Sequence, residues 1–171
     1  MSNFELPDRV NPYQLADKLS RLEGVIGAKR LKRLDESTAG IDESAQVSLG
    51  FDRDESGRRL ISGHVTAIVN LQCQRCLQVY GSKLDGEFTL ALVYNDEMAK
   101  ALPAHLDALL LLPDALLDVA DIVEEELLLS LPMHAMHPEG ECRIETQFGT
   151  DESTGSPDKA PNPFDVLKVL K

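Results

Sequence analysis

Over residues 60–73 apolar and polar positions alternate. Ile61, Gly63, Val65, Ala67, Val69, Leu71 and Cys73 fall on one side, Ser62, His64, Thr66, Asn70 and Gln72 on the other. A period of two marks a half-buried strand. Alternation resumes at Leu84, with Gly86, Phe88, Leu90, Leu92 and Tyr94 on its side and Asp85, Glu87 and Thr89 opposite. Ala45, Val47, Leu49 and Phe51 give an earlier strand, and the polar stretch 52–57 supplies the turn after it. Three strands with short connections predict an antiparallel meander, a partly closed sheet with one buried face.

Helical spacing brackets this sheet. Asn11 can cap a helix, Pro12 suits its first position, and Gln14 sits where a capping-box partner belongs. Leu15, Leu19 and Leu22 follow at helical intervals, with Gly24 as the stop. Residues 28–36 form a second short segment, and 95–108 reads as a loop broken by Pro103. A long acidic amphipathic helix is expected over 114–131. Leu116, Val119, Ala120, Val123, Leu127 and Leu131 form its stripe, and Asp118, Asp121, Glu124 and Glu125 lie opposite or beside it. Pro132 ends it. Residues 146–161 carry almost nothing apolar and read as a flexible linker. It leads to a short amphipathic segment, 162–171, with Phe164, Leu167 and Leu170 on one face. That segment is too short to hold a helix alone and must dock. The expectation is therefore one α+β domain over 1–145, a linker, and a docking helix.

Composition narrows the function classes. The chain has 171 residues, ample for a sizeable core, and no apolar run approaches the roughly 18 residues a membrane helix needs. The polar, acidic first ten residues do not resemble a signal peptide, so a cytoplasmic protein with reduced thiols is expected. The formal net charge is −12, unevenly spread: residues 1–83 hold 12 Lys+Arg against 11 Asp+Glu, and 84–171 hold 5 against 18. Such a field does not steer the chain to a phosphate backbone, but it attracts basic partners. Lys29, Arg30, Lys32 and Arg33 form the only basic cluster, which suits either RNA phosphates or a solvated face around Leu31 and Leu34. The carboxylates of residues 118–125 read as a solvated or partner-docking face.

Three cysteines carry the one constellation with chemistry. Cys73-x2-Cys76 falls where the two long strands must turn, and His137-x4-Cys142 lies far downstream. Three thiolates and an imidazole are a ligand set for one structural Zn²⁺, with His134 as the substitute for His137. Two other readings stand beside it. Cys73 points to the apolar side and suits a buried core thiol, and Cys73/Cys76 has the spacing of a thiol-disulfide redox pair. No Gly-rich phosphate loop, Gly-x-Ser-x-Gly or His-Glu-x-x-His occurs, so an enzyme is not expected.

In order along the chain come Leu71-Gln72-Cys73-Gln74-Arg75-Cys76, then Asp96-Glu97 ahead of Ala101-Leu102-Pro103. Next is the run from Val123 to Pro132, then His137 with Cys142, and last Asn162-Pro163-Phe164-Asp165-Val166-Leu167. With these motifs the chain resembles the YceD family of large ribosomal RNA subunit accumulation proteins. The resemblance implies a non-enzymatic role in synthesis, processing or accumulation of large-subunit rRNA. It implies as partners a large-subunit ribosomal protein, a precursor particle, or rRNA itself. It brings no catalytic or RNA-contacting residue set with it.

Overall fold

The computed structural model describes residues 4–138 and 140–142. Strand β1 (Arg9–Val10) leads into helix α1 (Pro12–Asp17), whose N-terminus is closed by the Asn11 side chain accepting from the Gln14 N–H at 3.0 Å. Strand β2 (Arg21–Ile26) follows, then a 3-10 turn (Ala28–Arg30) and helix α2 (Lys32–Ser37). Strands β3 (Ala45–Arg53), β4 (Arg59–Gln72) and β5 (Val79–Val93) form the meander. Helix α3 (Asp96–Lys100), strand β6 (Asp107–Leu110), strand β7 (Leu117–Asp118) and helix α4 (Val119–Leu129) complete the described chain.

The main sheet has the order β2-β3-β4-β5-β6, and β1 pairs separately with β7. The alternating residues meet across strands as their period requires: Val47 faces Val65, Phe51 faces Ile61, and Ala67 faces Leu84. Helices α1, α2 and α4 bring Ala16, Leu34, Val123 and Leu127 against that face, giving a single aliphatic core with Phe51 at its centre. At Gly63 the Phe88 ring from β5 fills the space a Cβ would take.

Several expectations are corrected. The sheet is open rather than partly closed, because β2 and β6 are its two ends and do not pair. Only β2 to β5 form an antiparallel meander; β6 runs parallel to β5, reached through α3 in the stretch expected to be a loop. A parallel neighbour needs such a crossover.

The N-terminal helix ends at Asp17, not Gly24. Leu19 takes a left-handed backbone (φ 50°), and the chain re-enters as a strand in which Gly24 and Ile26 are buried. Leu22, Gly24 and Ile26 also fit a period of two. The Phe4 carbonyl lies where a Cβ on Gly24 would be.

The helix over 114–131 is not long: it spans 11 residues from Val119. Ala115 donates to the Leu112 carbonyl in a turn, Leu117 and Asp118 pair with β1, and the Asp118 carboxylate caps the helix by accepting from Ala120 at 3.0 Å. Leu116, placed on the buried stripe, is 57% exposed, and Glu124, placed on or beside the outer face, is 4% exposed. The linker 146–161 and the segment with Phe164, Leu167 and Leu170 lie outside the described residues.

Candidate metal centre

Strands β4 and β5 outrun β3, whose pairing with β4 stops at the Gln46–Thr66 pair. Beyond it the two strands continue as a ribbon to Gln72 and Val79. At its tip Cys73 donates its N–H to the Gln78 carbonyl (2.9 Å) and accepts from the Leu77 N–H (2.8 Å). This tight loop returns the chain with Leu77 at φ 63°. The segment after α4 runs alongside, tied by the Gln74 N–H to the Ala135 carbonyl at 2.8 Å. That bond sets His137 and Cys142 against the loop.

The Sγ atoms of Cys73, Cys76 and Cys142 and a ring nitrogen of His137 all lie within 4.8 Å of one another. Cys73 and Cys142 are 4.0 Å apart, and Cys76 Sγ is 3.4 Å from His137 Nδ1. A tetrahedral Zn²⁺ with ordinary bond lengths needs S···S of about 3.8 Å and S···N of about 3.6 Å. The donor set therefore fits. All three cysteines are free thiols. Cys73 is fully buried and the other ligands partly so.

The thiols at the centre sit in unequal surroundings. Burial opposes the Cys73 thiolate, but the N–H groups of Cys76, His137 and Arg75 together with the His137 ring outweigh it, drawing its pKa down to about 5. At Cys76 the Gln78 N–H pulls downward, yet burial and the neighbouring Cys142 and Cys73 thiols prevail and push it up. Three thiolates cannot share so small a space without a positive charge among them, and a divalent ion resolves that conflict.

Two supporting residues were not anticipated. Arg75 is near enough to the Cys142 thiol for that group to raise the guanidinium pKa. Tyr80 packs on His137 with ring centroids 4.7 Å apart. Arg75 lies between the paired cysteines, but Tyr80 could be found only from strand register, opposite Leu71. His134 is not among the four ligands; its Nδ1 is 3.3 Å from Gln74 Oε1.

The basic cluster divides. Lys29 and Lys32 are exposed. Arg30 pairs with Asp8 (3.0 Å) and Asp118 (3.6 Å) and donates to the Leu6 carbonyl. Arg33 pairs with Glu124 and Glu125, both at 2.9 Å. Of the four carboxylates expected on a docking face, Asp121 and Glu125 are exposed. Asp118 is occupied as a cap, and Glu124 also accepts from the Leu34 N–H at 3.1 Å.

The family model described as large ribosomal RNA subunit accumulation protein YceD matches residues 61–171, a stretch that holds nearly all of β4 and Cys73, Cys76, His137 and Cys142. The chain belongs to the YceD family. A relative from Haemophilus influenzae, named large ribosomal RNA subunit accumulation protein YceD, is 34% identical over 174 residues. That alignment covers all of this chain and 99% of the relative, so the likeness includes the N-terminal elements. No solved structure matches the chain. No described helix is long and apolar enough to cross a membrane.

Proposed function

We propose that this YceD-family chain is a non-enzymatic cytoplasmic assembly factor that supports accumulation of large-subunit rRNA through contact with a ribosomal protein or precursor particle. In this reading one structural Zn²⁺ on Cys73, Cys76, His137 and Cys142 pins the ribbon tip to the segment after α4. The observation that carries the function is the end-to-end correspondence with a relative named for large-subunit rRNA accumulation. The role of the metal follows from its ligands: four protein donors close a tetrahedral site, and a catalytic zinc keeps a position open. The same argument weighs against a redox Cys73/Cys76 pair, since both thiols are committed to the ion.

Protein contact is favoured over RNA contact because two of the four clustered cations, Arg30 and Arg33, already face carboxylates of their own chain. Lys29 and Lys32 alone are a small phosphate-binding surface. The test is the ratio of large- to small-subunit rRNA in cells lacking the gene, with wild-type and variant copies returned. The ratio is expected to fall on deletion and to recover with the wild-type copy and with a Lys29→Ala/Lys32→Ala copy. An unchanged ratio on deletion would overturn the reading. Recovery lost specifically with the lysine pair would turn it toward direct RNA contact.

A further inference from the structure

The two ends of the main sheet are finished differently. On the outer side of β2, residues 4–6 run alongside: Val25 donates to the Phe4 carbonyl at 2.9 Å, and Leu6 donates to the Val25 carbonyl at 3.0 Å. That end is covered. On the outer side of β6 no strand lies among the described residues. Leu111 donates inward to the Val93 carbonyl at 2.8 Å. In a parallel ladder the inward groups belong to every second residue, so Ala108 and Leu110 direct their N–H and C=O outward.

Folded proteins usually protect such an end with charge, proline or a bulge, because unpaired main-chain groups template another strand. Here Asp107 begins the strand and Pro113 follows it, but between and beyond them exposed apolar residues remain: Leu110 is 58% exposed, Leu112 65% and Leu116 57%. Tyr94, which follows the Val93 opposite Leu110, is 50% exposed. The surrounding charge is mostly negative. Asp96, Glu97, Asp107 and Asp114 are all exposed, and Lys100 is the one Lys or Arg between residues 94 and 118. Arg58 and Arg59, which line one cavity with Tyr94, are already paired with Asp54 and Asp17.

We propose that the outer side of β6 takes one extended strand from a basic partner protein. The partner would bond the main chain of Ala108 and Leu110, lay alternate apolar side chains on Leu110 and Leu112, and present Lys or Arg to the acidic rim. A second copy of this chain is a poorer occupant, since it would set the same carboxylates against one another. The chain's own residues 143–171 are poorer too, since they carry five Asp and Glu against four Lys and Arg and offer no net positive charge to the acidic rim. The proposal rests on the assembly-factor reading for the source of the strand, a basic large-subunit protein, but its test does not need ribosomes.

The full chain is titrated with a short synthetic peptide alternating valine and lysine, and separately with one alternating valine and glutamate, following amide chemical shifts and fluorescence anisotropy. The basic peptide is expected to shift the amides of residues 107–112. The Leu110→Pro variant, which removes one outward N–H, should weaken binding about tenfold or more. Leu110→Lys, which keeps the N–H and adds repulsion, serves as the second variant should the proline unfold the strand; both are read beside an unchanged thermal midpoint. Binding of the basic peptide that maps elsewhere, survives both variants, or is matched by the acidic peptide would overturn the proposal. So would self-association of the wild type that Leu110→Lys abolishes, or tighter peptide binding by a Phe164→Ser variant, which would give the site to a second copy or to the chain's own tail. Loss of rRNA accumulation on deletion can fail independently of all these outcomes.

Discussion

Leu77 holds a left-handed backbone (φ 63°) with its side chain 67% exposed. A β-carbon in that conformation costs about 1–2 kcal/mol, and this side chain regains little by packing. Leu77→Gly is therefore expected to raise stability by about 1 kcal/mol, read as a higher denaturant midpoint at equal slope. A lower midpoint would mean that the exposed leucine makes contacts that matter. At this scale much of the centre was legible before folding. Cys73, Cys76, His137 and Cys142 stood out because chelating spacings within two local segments survive any arrangement between them. Arg75 and Tyr80 were not legible as supports, because their roles depend on which residue lies across the loop or the ladder. Glu124 was misplaced for a related reason. Helical period alone puts a carboxylate on or near a solvated face, yet here the α2 N-terminus and Arg33 supply the donors that let it be buried.

Glu124 joins two elements, and that is where its energy is felt. Helix α2 begins at Lys32 with Leu31 before it, a residue that cannot cap, and the Glu124 carboxylate takes the place of a cap on the Leu34 N–H. Glu124→Ala leaves that buried N–H without a partner and is expected to cost about 1–3 kcal/mol. Glu124→Gln keeps an acceptor and should lose less, and equal losses in thermal denaturation would argue against a capping role.

The junction of α1 with β3 and β4 is ionic. Asp17 accepts from both Arg53 and Arg59, and bonds from Arg59 first and then Arg53 lower its pKa to about 2. A carboxyl lowered on folding contributes stability that is present above its unfolded value, near 4, and lost as pH falls through about 2. Asp17→Asn should therefore flatten the stability profile below pH of about 4 and leave its shape near neutrality unchanged. An unaltered acid limb would show that the ion pair is screened out. The long strands β4 and β5 were legible because alternation over such lengths has no helical equivalent. Strand β2 was not, since Leu15, Leu19 and Leu22 satisfy a helix until Gly24 and Ile26 are seen to be buried in register with β3. Strand β6 was hidden in the same way, its leucine run being too short and uniform to show a period.

For the molecule as a whole, the order α+β and the single core were open to sequence reasoning. The open sheet was not, because alternation reports which side of a strand is buried and says nothing about which strands come last. A metal on the four grouped residues would act at this scale. Elemental analysis of protein purified under reducing conditions should find about one zinc per chain, lost in Cys142→Ser. A strong chelator should lower the thermal midpoint of the wild type and leave that variant unmoved; a metal-free wild type indifferent to the chelator would remove the centre. The ribbon beyond Thr66 gives this linkage a local address. There β4 and β5 have lost β3 as a neighbour, but Asn70 is bonded to Ala39, Gly40 and Asp42, Val69 bridges Ile41, and Ala67, Val69, Leu71 and Leu84 are buried in the core, so it is residues 72–79 that depend chiefly on the tip. Opening of the loop at residues 72–79 is a local event, separable from loss of the core, and its free energy should carry most of the metal's contribution. Amide exchange would then quicken at residues 72–79 while β3 and the buried part of β4 stay protected. A chain without the ion would keep its core yet present an untied loop to proteases, so that metal supply would set the protein's lifetime before it touched its fold.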